Sequence, residues 1–256
     1  MTDHAAGFRA FVGGAEFTGR RFDRRPGFYV REVEGLLGGA NVSPSSVPSL
    51  YGDGELDLPN RRDTARIIRL TGFVYADSMT DLGYALRQLD GILAANRDAQ
   101  PFAWTEFGQS FHTMVRRGVS APPQRRGKTG FADYTIRFRA PKQVYYGEAH
   151  EFTAGETVIQ YGTYPSRPLL QVSGAKPDGY TITGPGGRRV AVVRPLVAGT
   201  PHLIDMRRGG LYENGVRQTS ALSVYEPWAI DPDPVGVSHA ITGGLALNGV
   251  VYDAYT

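Results

Sequence analysis

Along most of the chain, apolar and polar residues alternate. The clearest run is Tyr134-Thr135-Ile136-Arg137-Phe138-Arg139-Ala140, with Tyr134, Ile136 and Phe138 on one side and Thr135, Arg137 and Arg139 on the other. Successive side chains of an extended chain point to opposite faces, so this run predicts a half-buried strand with one wet face. Ile67–Tyr75 repeats the pattern, with Ile68, Leu70 and Val74 in phase. Further strands are predicted at Phe8–Phe17, Phe28–Glu34, Gln109–Arg117, Leu169–Ser173, Tyr180–Thr183, Val190–Val193, His202–Met206, Ala221–Val224 and Val237–Ile241. Turn-forming clusters separate them: Pro177-Asp178-Gly179, Gly184-Pro185-Gly186-Gly187, Arg208-Gly209-Gly210 and Asn214-Gly215. The last predicts a tight hairpin, because both residues accept positive φ at low cost.

One segment breaks this rhythm. From Thr80 to about Asn96, Leu82, Leu86, Leu89 and Leu93 recur at spacings of three and four, which predicts one amphipathic helix lying on a sheet. Asp77 or Ser78 is suited to cap its start. Two stretches, Leu36–Asn60 and Ser120–Gly130, read as long loops or arms rich in glycine, proline and polar residues. Near Tyr146–Thr157 one strand series stops and a second, helix-free series begins. The expected division is therefore 1–145 and 146–256.

Composition narrows the class of protein. With 256 residues the chain can hold two modest cores. The 33 glycines and 17 prolines are scattered singly, which fits a turn-rich β protein better than a disordered one. The absence of cysteine excludes disulfides, thiolate metal sites and cysteine nucleophiles. No apolar run approaches the roughly 20 residues of a membrane helix, and Met1–Phe11 lacks the apolar core of a secretory signal. A membrane anchor is thus not expected. The net charge of +3 is carried largely by arginine doublets: Arg20-Arg21, Arg24-Arg25, Arg61-Arg62, Arg116-Arg117, Arg125-Arg126, Arg188-Arg189 and Arg207-Arg208. Their dispersal reads as solvated hairpin ends, and no specific nucleic-acid partner is expected.

No chemical motif is complete. Gly127-Lys128-Thr129 resembles the end of a phosphate-binding loop, but Pro122 occupies the position where that loop needs its first glycine. His4, His112, His150, His202 and His239 are far apart in sequence, and none has a carboxylate at a metal-binding spacing. Asp231-Pro232-Asp233-Pro234 offers two carboxylates on a stiff loop, too few for a cation cage. No nucleophile elbow is present. No catalytic, cofactor-binding or metal-ligating residue is nominated, no cofactor is expected, and an enzyme is not the expected class.

The order of these pieces resembles the distal tail proteins of siphophages. Phe28-Tyr29-Val30-Arg31-Glu32-Val33-Glu34-Gly35-Leu36 is similar to that family's early strand and its Gly-Leu exit. Asn60-Arg61-Arg62 with Ile67–Gly72 is similar to the strand before its helix, and Leu82–Leu93 to the helix itself. Ala132–Lys142 resembles the link to the second domain, although Ala140-Pro141-Lys142 differs from the usual Ala-Asp-Pro. The second half matches better, from Gly162-Thr163-Tyr164-Pro165 through Leu170–Gly174 and Gly179–Thr183 to Leu203–Arg207, Tyr212–Gly215 and Trp228-Ala229-Ile230-Asp231-Pro232. The resemblance implies a mainly β fold: a ring-forming belt domain with one amphipathic helix, then a galectin-like β-sandwich.

It further implies a structural virion protein at the tip of a long, non-contractile phage tail, made in the host bacterial cytoplasm. There it forms a hexameric ring with copies of itself. Its other implied partners are the tail tube protein, hub, tip or fibre proteins and the tape-measure protein. Leu36–Asn60 and Ser120–Gly130 are the expected neighbour contacts. The alternative is a carbohydrate-binding tail module that contacts the host cell surface, with Trp228, Tyr225 and Tyr212 as sugar platforms, although sandwich core and hairpin packing is the favoured reading of these three residues.

Overall fold

The structure, a computed structural model, describes residues 7–36, 46–48, 55–57, 65–95, 98–127 and 130–256. The chain divides into two compact units, Met1–Tyr145 (joined by Thr256) and Tyr146–Tyr255. Strands predominate, with one α-helix among the described residues, as the alternation predicts.

The first unit carries β1 (Arg9–Val12), β2 (Ala15–Thr18), β3 (Gly27–Glu34), β4 (Ser46–Pro48), β5 (Glu55–Asp57), β6 (Arg66–Tyr75), α1 (Met79–Gly91), β7 (Gln100–Glu106), β8 (Gln109–Arg117), β9 (Ala121–Arg125) and β10 (Phe131–Ala140). Hydrogen bonding runs β8-β7-β1-β2-β3-β6-β10, and β10 then pairs back onto β8. The sheet closes on itself as a barrel and removes its own edges there. Closure rests on two pairs, Phe138 with Arg117 and Arg139 with Arg116. All neighbours are antiparallel except β2 and β3, which run parallel at Phe17 with Phe28. The inward positions of the alternating strands fill the barrel, among them Phe17, Ile68, Leu70, Phe102, Ile136 and Phe138, each at most 1% exposed.

The predicted Phe8–Phe17 strand is two strands. Gly13 and Gly14 take φ of 56° and 79°, so the chain reverses and Val12 pairs with Ala15. Helix α1 is shorter than its apolar stripe. The Ser78 hydroxyl accepts from the Asp81 N–H at its start, so the cap is Ser78 and not Asp77. At the other end Leu93 turns to φ 55° yet stays buried. The stripe continued because Leu93 packs into the same core from outside the helix. Ser120–Gly130 is also not a free loop, since Ala121–Arg125 pairs with β10 as a strand. Of Leu36–Asn60, Leu36 is buried and β4 pairs with β5; the remainder lies outside the described residues.

The second unit contains β11 (Tyr145–Thr153), β12 (Thr157–Val158), β13 (Leu169–Ser173), β14 (Tyr180–Thr183), β15 (Arg189–Val192), β16 (His202–Asp205), β17 (Leu211–Glu213), β18 (Val216–Gln218), β19 (Leu222–Tyr225), β20 (Val237–Ser238), β21 (Ala240–Ile241) and β22 (Ala246–Tyr255). The larger sheet is ordered β18-β17-β16-β13-β22-β11, the smaller β19-β15-β14-β21, and β12 pairs with β20. Leu170, Ile204 and Val251 from the larger sheet and Ile182 and Val190 from the smaller meet in one core with Trp228. This is a two-sheet sandwich. Asn214-Gly215 forms the expected hairpin, with Glu213 opposite Val216. Besides β4, β5 and β9, the strands β7, β11, β12 and β22 were absent from the predicted set, and β17 and β18 were foreseen only through the turn between them. β7 and β11 lack a clean alternation, and β22 hides its register behind Gly249 on its inward side.

Candidate assembly surfaces and binding groove

The β9 edge is the first candidate surface. Strand β9 pairs with β10 on one side and is terminal in the sheet order on the other. Its register slips between Asp133 and Thr135, and Pro122-Pro123 remove two N–H donors from the strand, one on each edge. A bulge with prolines limits indiscriminate pairing while leaving an edge that a specific neighbour can meet. Arg126 is fixed there by two bonds of 2.5 Å to the Asp133 carboxylate. That guanidinium holds the Asp133 carboxyl below the ordinary range. The β4–β5 ribbon, in register from Ser46 with Asp57 to Pro48 with Glu55, is a second candidate. A two-stranded ribbon has little independent stability and gains from packing against another surface.

The outer wall of the barrel carries an aromatic cluster that sequence reading missed. Phe22 packs edge-on against Tyr29, Phe73 and Tyr75, and Tyr29 stacks on Phe73 at 4.9 Å. The Tyr29 hydroxyl donates to Asp23 Oδ1 at 2.7 Å and accepts from Arg20 at 3.3 Å. Accepting from this hydroxyl pulls the Asp23 carboxyl down. Tyr29, Phe73 and Tyr75 stand on outward strand positions, which in sequence look like solvated ones, and Phe22 reaches them from the segment between β2 and β3. The doublets likewise split in role. Arg117 donates to three carbonyls at the end of α1, and Arg207 lies over the rings of Tyr146 and Tyr252, whereas Arg116 and Arg208 are exposed. Arg61-Arg62 lies outside the described residues.

In the second unit, the outward face of the larger sheet holds an open groove of about 400 Å³. Gln171 and Asn248 face each other in register at its floor, with Leu203 beside Gln171 and Glu151 at the wall. Glu156 is already engaged, accepting from the Thr153 N–H at 2.7 Å.

The candidate sugar platforms do not converge. Trp228 is 2% exposed and cannot stack on a ligand; its indole donates to His239 inside the core. The Tyr225 hydroxyl accepts from the Gly210 N–H at 3.2 Å, and Tyr212 sits opposite Leu203, on a different sheet from Tyr225. The histidines also stay apart. His202 is buried with Nδ1 3.0 Å from the Tyr180 hydroxyl, and burial pushes both groups toward their neutral forms. His150 faces Asp253 at 2.9 Å, and Asp253 also accepts from the Tyr161 N–H at 2.6 Å. This pair is 103 residues apart in sequence, beyond any local motif. His112 is half-buried in β8, and His4, Lys128 and Thr129 lie outside the described residues. Asp205 and Asp233 are turn residues, Asp205 accepting from the Arg207 and Arg208 N–H groups and Asp233 from that of Val235. Among the described residues no three metal-ligating side chains converge, and no helix is long and apolar enough to cross a membrane.

No protein-family model matches the sequence, and no characterised protein matches it by sequence. Solved structures do match in fold. The SPP1 Dit protein, a paradigm of the hub adsorption apparatus in phages infecting Gram-positive bacteria, superposes with a TM-score of 0.74 at 18% identity over 97% of this chain and 99% of its own. A chain of the phage P2 baseplate in its activated conformation with Ca gives 0.56 at 8% identity, over 88% of this chain and 89% of that one. The phage p2 baseplate in its activated conformation with Sr gives 0.54 at 8% identity, over 95% and 97%. The likeness establishes a shared fold along both units.

Proposed function

We propose that the protein is a structural ring subunit of a long-tailed phage, placed at the distal end of the tail between the tail tube and the baseplate or tip. One observation carries this reading: end-to-end agreement in fold with SPP1 Dit, in which neither chain has a substantial portion left over. An inserted catalytic or receptor-binding domain would break that agreement, and the matched structures come from a hub apparatus and a baseplate, which supports assembly in place of catalysis. In this reading the unit 1–145 is the ring-forming belt and 146–256 the galectin-like sandwich. Six copies close by head-to-tail contacts, since a repeated unlike contact that closes generates a ring. The β9 edge and the β4–β5 ribbon supply those contacts. Tail tube, tape-measure and hub, tip or fibre proteins are the neighbours, and the folded chain passes from the host cytoplasm into the virion. Mass photometry of the purified chain tests the ring. The expected species has six times the 27.9 kDa protomer mass. A monomer at micromolar concentration, with no ring seen by electron microscopy when tail proteins are added, would overturn it.

Glycan binding by the sandwich is a second reading, favoured by the amide-floored groove alone. Hydroxyl-rich ligands suit paired Gln171 and Asn248 side chains, which offer donors and acceptors together. A glycan array with the full chain tests it, and a signal unaltered in Asn248→Ala would remove the groove from consideration.

A further inference from the structure

The outer wall of the barrel carries an unbalanced arginine array next to the seam where β10 closes on β8. Cross-strand register arranges it in two rows. In one row Glu34, Arg69 and Arg137 lie side by side across β3, β6 and β10. In the next, Ile67, Arg139 and Arg116 lie side by side across β6, β10 and β8. The side chains point outward, because the alternate positions Ile68, Leu70, Val115, Ile136 and Phe138 are buried. Glu34 pairs with Arg69 at 3.2 Å. Among the described residues no carboxylate pairs with Arg116, Arg137 or Arg139, and all three are exposed. Glu32, in register with Thr71 in the adjoining row, makes no ion pair among the described residues either.

Like charges directly opposite on a sheet are unfavourable. Arg116 faces Arg139, and Arg137 faces Arg69, so the fold tolerates two such pairs within adjoining rows. Ile67 and Met114, each 49% exposed, are interspersed with them. Arginine and methionine around exposed aliphatic surface is the composition of a protein interface. The guanidinium fork is matched to carboxylates in bidentate geometry. A single-stranded nucleic acid would need open aromatic platforms between the charges. The outward rings on β6 and β10 gather further along the wall: Phe73 stands two rows away and is occupied by Tyr29, and Tyr75 packs against Phe131 beyond it.

We infer that this face of β6, β8 and β10 is a docking surface for a carboxylate-rich protein segment, gripped by Arg116, Arg137 and Arg139 against Ile67 and Met114. The inference does not require that the chain form a ring.

The test uses the full chain with two labelled probes, an oligoglutamate peptide and an oligothymidylate of matched charge, followed by fluorescence anisotropy at low and high salt. Oligoglutamate is expected to bind more tightly than oligothymidylate. The Arg116→Gln/Arg137→Gln/Arg139→Gln variant is expected to lose roughly tenfold in affinity. Its melting temperature is expected to rise by about 1–3 °C as the like-charge pairs disappear. A structural role for these arginines would lower it instead. Arg139→Gln alone provides a milder variant with the same signs, and Arg21→Gln, an exposed arginine elsewhere, should change neither reading. Equal oligoglutamate binding by variant and wild type, tighter binding of oligothymidylate, or a lowered melting temperature in the folded variants would each overturn the inference.

Discussion

The indole N–H of Trp228 donates to Nε2 of His239 at 3.1 Å, inside the core of the second unit. Nε2 must therefore be unprotonated, and the neutral ring carries its proton on Nδ1. Burial pushes the His239 imidazole down to about 4, from an ordinary 6.5. As pH falls, the unfolded chain takes up this proton before the folded one does. The contribution of the site is complete above about pH 6.5 and is lost progressively toward pH 4, roughly 3 kcal/mol in all. His202, also lowered by burial, acts in the same direction. Thermal unfolding followed from pH 7 to 4 should show a flatter profile in His239→Gln than in wild type. An unchanged slope would mean that His239 is not the titrating group.

Arg117 closes the end of α1. Its Nη1 donates to the carbonyls of Leu89, Asp90 and Ile92 at 3.0, 2.6 and 2.8 Å. The last carbonyls of a helix lack internal partners and carry partial negative charge, so a guanidinium there is doubly favourable. Arg117→Met keeps most of the side-chain volume and removes the donors. A loss of about 1–3 kcal/mol is expected in urea unfolding. Arg116→Met, its exposed neighbour, should show no comparable loss.

Gly249 is required by Phe152. A Cβ at that position would stand 2.1 Å from the phenyl Cζ. Gly249→Ala is expected to cost about 1–3 kcal/mol through overpacking. Combining it with Phe152→Leu, which withdraws the ring edge, should recover part of the loss, so the double variant is more stable than the sum of the two single effects predicts. Strict additivity in a double-mutant cycle would contradict the contact.

Tyr134 reaches across β6 at Gly72 to donate its hydroxyl to the Tyr29 carbonyl at 3.1 Å, and burial drives its ionisation far upward. Tyr134→Phe leaves the ring packing against Phe17 and Phe28 while stranding that carbonyl. A loss of about 1–2 kcal/mol with an unaltered far-ultraviolet spectrum is expected.

The strands that alternate strictly were legible from the residues alone. Gln109–Arg117, Leu169–Ser173 and Tyr180–Thr183 have the bounds that their pattern predicts. Period-two burial leaves a direct trace there, and α1 was legible through the spacing of Leu82, Leu86 and Leu89 for the same reason. What stayed hidden depends on pairing between distant segments. Nothing local says that Arg9 lies opposite Thr105, or that β10 returns to β8 to close a barrel. The surfaces were harder still. Phe22 and Arg117 occupy positions that look solvated in sequence and are claimed by neighbours brought from elsewhere in the fold. Trp228 shows the converse: an aromatic residue in a loop admits both a core and a ligand-platform reading, core packing being the favoured one, and the fold places it in the core.

The position of β22 has a consequence for synthesis. In the larger sheet it lies between β13 and β11, although it follows them in the chain by more than seventy residues. Until residues 246–255 leave the ribosome, both flanking strands have an unfilled side where they will later pair with β22. Val251 and the space reserved beside Gly249 for Phe152 are missing from the core over the same interval. The second unit therefore cannot complete itself progressively during translation. Its native sheet and core are complete only after the ten residues of β22 have emerged, and a nascent chain stalled before Ala246 would present unpaired strand edges to chaperones and proteases.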